Sequence, residues 1–144
     1  MSAFPPIREL IPHAGRMVLL DELLEWEEGR AIAKMRIREG MPFVKAKKMD
    51  SIALMEPMAQ TVAACLGYEA YRGGAGVRVG MIIGARSFEI FEEAAAVGEE
   101  LLFEVSRIRG SESLSHFSCA AKDGEARLLA EATLTLFHAE KPPE

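Results

Sequence analysis

The chain predicts an α+β fold in which a curved antiparallel sheet wraps one long helix. Three observations predict it. Apolar and polar residues alternate along 30–38 and again along 128–136, the period of two of a sheet with one covered face. Between them, Ile52, Met55, Ala59, Val62 and Leu66 recur at helical spacing. Past the glycines at 73–76 the chain is strand-like to its end. With 144 residues it forms a single domain with one core.

The elements follow in order. Residues 1–16 are irregular, punctuated by Pro5, Pro6, Pro12 and Gly15. A strand is expected from Met17 to Trp26 and a second, after the turn Glu27-Glu28-Gly29-Arg30, to Arg38, so that the two form an antiparallel hairpin. Residues 39–50 read as a loop, with Gly40, Pro42 and a basic run at Lys45, Lys47 and Lys48. Asp50 and Ser51 are good N-caps for a helix reaching Arg72. Pro57 either kinks that helix or sits at its first position, and in both cases Glu56 lies in the first turns. Four strands are expected after it: 77–91, 101–108, 114–121 and 126–138, the last two joined at Lys122-Asp123-Gly124. The tail, 139–144, is expected to fray.

Composition excludes several functions. A net charge of −5 leaves no basic stripe to neutralise nucleic-acid phosphates. No apolar run approaches the roughly 20 residues of a membrane helix, and the first residues lack the pattern of a secretory signal. Cys65 and Cys119 stand alone in apolar stretches, which fits reduced core thiols in a cytoplasmic protein and gives neither a disulfide framework nor a zinc site. No metal or cofactor is expected.

The chemistry concentrates at Glu56 and Gln60. They place a carboxylate and a carboxamide four residues apart on one helix face among Ile, Met, Ala, Val and Leu. An unpaired charge in such surroundings is expensive, so Glu56 is paired, kept protonated, or used.

Three stretches together carry a family resemblance over about Leu10 to Phe137. They are Ile11-Pro12-His13 through Leu19-Leu20-Asp21-Glu22, then Glu56-x-x-x-Gln60, then Arg86-Ser87-Phe88 followed by Gly98-Glu99-Glu100-Leu101. In this order they resemble the hotdog-fold 3-hydroxyacyl-[acyl carrier protein] dehydratases, and more narrowly a smaller predicted dehydratase group that lacks the G-H-F-P loop. Gly40-Met41-Pro42-Phe43-Val44, where that loop would lie, contains no His.

The resemblance implies a dehydratase acting on 3-hydroxyacyl thioesters of an acyl carrier protein or coenzyme A. Such a reaction needs a base for the C2 proton and an acid for the departing C3 hydroxyl. Glu56 suits the acid or a combined role, and His13, in the N-terminal loop, suits the base, the two flanking the acyl chain. Gln60 orients the carboxyl or holds the thioester, with simple packing under the sheet the plainer alternative. Gly80 and Gly84 admit a substrate, or the helix, close to their strand. Lys45, Lys47, Lys48 and Arg86 are candidates for docking an acidic carrier. His116 and His138 lie on strands and are weaker candidates. Family sites lie at a dimer interface, which implies a homodimer or larger homo-oligomer. Two rival functions remain: a hotdog acyl thioesterase, or a non-catalytic acyl-binding subunit paired in a heterodimer with a dehydratase that retains the loop His.

Overall fold

The computed structural model describes residues 4–73, 79–110 and 114–139, with side chains omitted at 79–83 and 138–139. The frayed tail expected after 139 and the glycines at 74–76 lie outside the described residues. The strands are β1 (Glu22–Glu27), β2 (Arg30–Arg36), β3 (Val44–Lys45), β4 (Lys48–Asp50), β5 (Val79–Ile90), β6 (Ala94–Ala96), β7 (Glu100–Gly110), β8 (Leu114–Lys122) and β9 (Leu128–Ala139). A 3-10 turn, Ser51–Leu54, leads into α1 (Met55–Arg72), the one α-helix among the described residues. Six strands form one antiparallel sheet in the order β1-β2-β7-β8-β9-β5, and β3-β4-β6 form a small second sheet.

The helix packs on β1, β2, β7 and β8, and its inner face meets Met35, Phe103, Val105 and Phe117, all fully buried. The period of two is real in β2: Ala31, Ala33 and Met35 are buried, and Ile32, which breaks the pattern, is buried too at 7% exposure. The helix face differs from expectation. Met58, Val62, Cys65 and Leu66 are buried, whereas Ile52 is 66% exposed and Met55, Ala59 and Ala63 are only partly covered. The sheet therefore wraps the helix on one side and leaves a stripe through Ile52, Met55, Ala59 and Ala63 outside it.

Two departures in the first half have physical causes. Residues 17–20 do not join β1; the N–H groups of Leu19 and Leu20 and the carbonyl of Met17 are bound by the Gln60 side chain instead, and Asp21 alone bonds β2, through its N–H to the Lys34 carbonyl at 2.8 Å. Residues 39–50 are not all loop, because β3 and β4 form a hairpin. Its turn residues, Ala46 and Lys47, have φ of 52° and 63°. Such a turn usually carries Asn or Gly, so this one has no sequence signature.

Gly67 is the glycine that the packing requires. A Cβ there would lie 1.8 Å from the carbonyl oxygen of Leu10, so the N-terminal segment crosses the helix in direct backbone contact. Gly84, paired with Thr135 of β9, does not play this part: a Cβ built on it meets nothing within 4 Å among the described residues. Gly80 pairs with His138 in β5, and its surroundings lie outside the described residues.

Candidate active site at the start of the helix

The first turn of α1 is fixed from outside the helix. The Asp50 carboxylate accepts the N–H of Ile52 at 2.9 Å and caps the 3-10 turn. Ser51, fully buried, donates to the carbonyl of Glu92 at 2.5 Å and so ties the turn to the loop after β5. Pro57 is the third residue of α1. The first helical N–H groups have no partner within the helix, so its missing N–H costs nothing and no kink is required. Glu56 is thereby held in the first turn.

Gln60 follows one turn later with no exposed surface. Its Oε1 accepts from Leu19 N at 2.9 Å and, more loosely, from Leu20 N at 3.4 Å. Its Nε2 donates to the Met17 carbonyl at 2.5 Å and to Glu56 Oε1 at 3.2 Å. An amide has two donor and two acceptor positions, and all are taken within the chain. In this conformation Gln60 has none left for a thioester; it fastens the loop at 17–20 to the helix and touches the Glu56 carboxylate.

That loop carries His13 between two short 3-10 turns, Ile7–Glu9 and Gly15–Met17, anchored by buried Ile7, Leu10 and Ile11. His13 Nε2 lies 3.1 Å from Glu56 Oε1, with the side chains 26% and 31% exposed. The His13 and Glu56 side chains thus meet within one chain at hydrogen-bond distance. No substrate atom fits between groups this close, so in this conformation they form a dyad on one side of a substrate rather than flanking it. His13 Nδ1 is buried without a partner among the described residues.

The remaining candidates are dispersed. Lys45, Lys47 and Lys48 are exposed on the β3–β4 hairpin, which runs straight into the helix cap. Lys45 and Lys48 share a groove of about 720 Å³ with Phe43, Asp50, Ile90 and Ala94. Arg86 is exposed on β5, at an irregularity in its pairing with β9. His116 faces away from the core as its alternation predicts, with Nδ1 2.9 Å from Thr135 Oγ1 on the outer face of the sheet. The side chain of His138 lies outside the described residues. Burial pushes the thiols of Cys65 and Cys119 up to about 12, which leaves both in the unreactive neutral form. Among the described residues, no three His, Cys, Asp or Glu side chains are grouped to hold a metal.

Sequence reasoning did not assign the backbone of Met17, Leu19 and Leu20 to the site, because it read these residues as strand. The one available signal was Gln60 itself, a buried amide that needs several partners. The last motif also has a backbone reason: Gly98, at φ 98°, makes the turn from β6 to β7, and the Glu99 carboxylate accepts the Ala96 N–H at 2.6 Å.

Comparison with known proteins gives three findings. A family model described as ApeP-like, ApeP dehydratase, matches residues 5–144. A 3-hydroxyacyl-[acyl-carrier-protein] dehydratase FabZ of Caldanaerobacter subterraneus subsp. tengcongensis is 28% identical over 142 residues, covering 94% of this chain and 96% of the relative. Among solved structures, the dehydratase heterocomplex ApeI:P from Xenorhabdus doucetiae superposes with a TM-score of 0.88 at 18% identity, over 98% of this chain and 93% of that one. A hypothetical thioesterase from Streptococcus pneumoniae with coenzyme A gives 0.67 at 11% identity, over 85% and 88%. The fold is the hotdog fold.

Proposed function

Because this chain belongs to the ApeP-like dehydratase family, we propose that it removes water from 3-hydroxyacyl thioesters to give trans-2-enoyl thioesters. The observation that carries this reading is the contact of His13 Nε2 with Glu56 Oε1 at 3.1 Å, at the first turn of a helix whose next turn supplies Gln60. A carboxylate and an imidazole in contact supply the two proton movements the reaction needs, at C2 and at the C3 hydroxyl. Glu56 is sheltered but reachable, at about a third exposed. A substrate therefore approaches it without unfolding the loop.

The thioester is presented by an acyl carrier protein or coenzyme A. Phe43 and Ile90 line a groove with Lys45, Lys48, Asp50 and Glu93, and the exposed lysines of the β3–β4 hairpin put positive charge beside it. An acidic carrier complements it. Arg86 extends the positive charge onto the edge strand β5. Charge reversal at Lys45 and Lys48 together is expected to raise KM for the carrier-bound substrate and leave kcat little changed.

The chain works as an oligomer, with a second copy or with a related dehydratase. The helix stripe at Ile52, Met55 and Ala59 is left partly open, and among the described residues β5, with its open-sided Gly84, is paired on one edge only. A partner strand on that edge satisfies its backbone and brings new surface towards the site. The solved neighbour being a dehydratase heterocomplex supports a related chain as that partner. Reduced, buried thiols fit a cytoplasmic location.

The test is turnover of a 3-hydroxyacyl carrier thioester by the purified chain and by its Glu56→Gln and His13→Ala variants. Unchanged turnover in both variants ends the mechanism. Release of free carrier thiol instead of an enoyl product would identify a thioesterase, the reading favoured by the thioesterase of the same fold. Activity only after addition of a partner dehydratase would assign the chain to an acyl-binding subunit.

A further inference from the structure

Residues 16 and 17 are neighbours in the chain and are tied to different elements. Arg16 Nη2 donates to the Gly40 carbonyl at 2.6 Å, whereas the Met17 carbonyl is bound by Gln60 of α1 at 2.5 Å. On either side the chain is well anchored. Ile7, Leu10 and Ile11 are buried before them; after them Leu19 and Leu20 are buried, and the Asp21 carboxylate accepts the Arg36 N–H at 2.6 Å. Between these anchors Pro12, Ala14, Gly15, Arg16 and Met17 are exposed, and His13 is partly covered. Burial therefore does little to hold residues 12–16. Among the described residues, the polar contacts of 12–16 with other elements are the approach of His13 to Glu56 and the Arg16–Gly40 bond.

Gly40 offers a firm point of attachment. It lies in the turn at 38–41, closed by the Met41 N–H on the Arg38 carbonyl at 3.3 Å. Ile37, just before the turn, is buried and exchanges backbone bonds with the turn from β6 to β7. Its N–H donates to the Glu99 carbonyl at 2.9 Å, and its carbonyl accepts from Gly98 at 2.8 Å. The Arg38 guanidinium pairs with the Asp21 carboxylate. Gly40 has φ 84°, and a Cβ built on it meets nothing within 4 Å. The glycine is there for its backbone conformation, which sets the direction of the carbonyl, and not for lack of room. That carbonyl is fastened to the sheet, and Arg16 carries the attachment to a point three residues from His13.

We propose that Arg16 is a positioning residue, whose bond to the Gly40 carbonyl holds the exposed loop 12–16 where His13 comes to 3.1 Å from Glu56. Its effect on turnover rests on the dehydratase reading above. The segment 40–44, which has no His of its own, then serves the site through a backbone carbonyl. Without this bond a stretch with little burial loses one of its two ties, and His13 samples positions away from the carboxylate. An exposed hydrogen bond contributes little to overall stability. Its loss therefore shows in the placing of His13 rather than in the melting temperature. An Arg16 that only attracted an acidic carrier would act on KM instead.

The test compares the wild type with Arg16→Met, which cannot donate, and Arg16→Lys, which can. Modification by diethyl pyrocarbonate is followed by mass spectrometry at His13, with His116, on the outer face of the sheet, as internal control. The held ring is slow to react, because Nε2 lies against the carboxylate and Nδ1 is buried. Arg16→Met is expected to react about fivefold faster at His13 and at the wild-type rate at His116, with a melting temperature within about 2 °C of wild type. Arg16→Lys should stay near wild type at both. With a 3-hydroxyacyl carrier thioester, Arg16→Met is expected to lower kcat about tenfold at unchanged KM, and Arg16→Lys to recover most of it. An unchanged rate at His13 in Arg16→Met overturns the proposal, and so does a higher KM at unchanged kcat. Both histidines reacting faster at a lowered melting temperature would mean general loosening and overturn it as well. If the wild type dehydrates no 3-hydroxyacyl thioester, the dehydratase reading falls while the rate at His13 still decides whether Arg16 holds it.

Discussion

Two glutamates on the same helix each meet a basic partner, and they differ in what the partner allows. Glu56, in the first turn of α1, lies 3.1 Å from His13; Glu69, near the last, lies 3.4 Å from Arg107. Their side-chain exposures are close, at 31% and 26% for the first pair and 23% and 24% for the second. Burial therefore does not separate them. Arg107 presents a guanidinium stacked 5.5 Å above the Phe117 ring, a side-chain type that donates hydrogen bonds and accepts none. Around it Trp26 and Tyr68 meet edge to face at 5.0 Å, and Trp26 donates to the Cys65 carbonyl at 2.9 Å. That end of the helix is fastened. At the other end the partner is an imidazole, a side-chain type suited to proton transfer. In the dehydration proposed above the imidazole pair carries the proton transfer and the guanidinium pair takes no part.

The comparison is broken most strongly by exchanging charge for amide on each side. Glu56→Gln is expected to lower turnover by about a thousandfold with little change in melting temperature. Glu69→Gln should leave turnover within about twofold and reduce stability by about 1 kcal/mol, read by urea unfolding. Equal activity losses in the two variants would erase the distinction.

Next in size is Gln60→Leu. It leaves the Leu19 N–H and the Met17 carbonyl without their partner in a buried setting, so a stability loss of about 2–3 kcal/mol is expected, together with reduced turnover. A variant that loses activity at full stability would mean that Gln60 touches substrate after all. Arg107→Met should cost about 1 kcal/mol, because the methionine keeps the packing on Phe117 while Glu69 loses its cation.

The smallest effect sharpens the contrast between a structural carboxylate and the one at the site. Asp123, in the turn before β9, accepts the backbone N–H groups of Arg127 and Glu125 at 2.9 Å each. The Arg127 N–H, first among these, holds its carboxyl below the usual carboxylate range. A carboxyl lowered on folding adds stability above its unfolded value, about 3.9, and loses it as pH falls through the lower folded one. Asp123→Asn should therefore flatten the stability profile below about pH 4 and leave turnover unchanged. An unaltered acid limb would contradict the lowered carboxyl.

Much of the molecule was legible from its residues. The alternation in β2 and β9 gave the covered face of the sheet, and the glycines after Arg72 gave the end of the helix. Glu56 and Gln60 were legible as a carboxylate and an amide on one face. Less legible was the span 17–20, which has strand-like residues but gives the Met17 carbonyl and the Leu19 and Leu20 N–H groups to Gln60. A side chain competing for ladder hydrogen bonds leaves no local mark on the segment it captures. Nor was the helix stripe read correctly: Ile52 fits the apolar spacing yet lies outside the sheet, because spacing gives a face and not what covers it. A close helix contact was expected at Gly80 or Gly84; Gly84 has none, and Gly67, which was not singled out, meets a neighbouring backbone more than fifty residues away in the chain.

By itself the sequence determined which residues can do acid–base work and which elements carry them, since charge, spacing and backbone preference are properties of short stretches. The tertiary structure decided that His13 comes to 3.1 Å from Glu56, that Gln60 has no free valence, and that Glu69 pairs with Arg107. Those are distances between segments far apart in the chain, fixed by how the N-terminal loop crosses the helix at Gly67, and no local pattern encodes them.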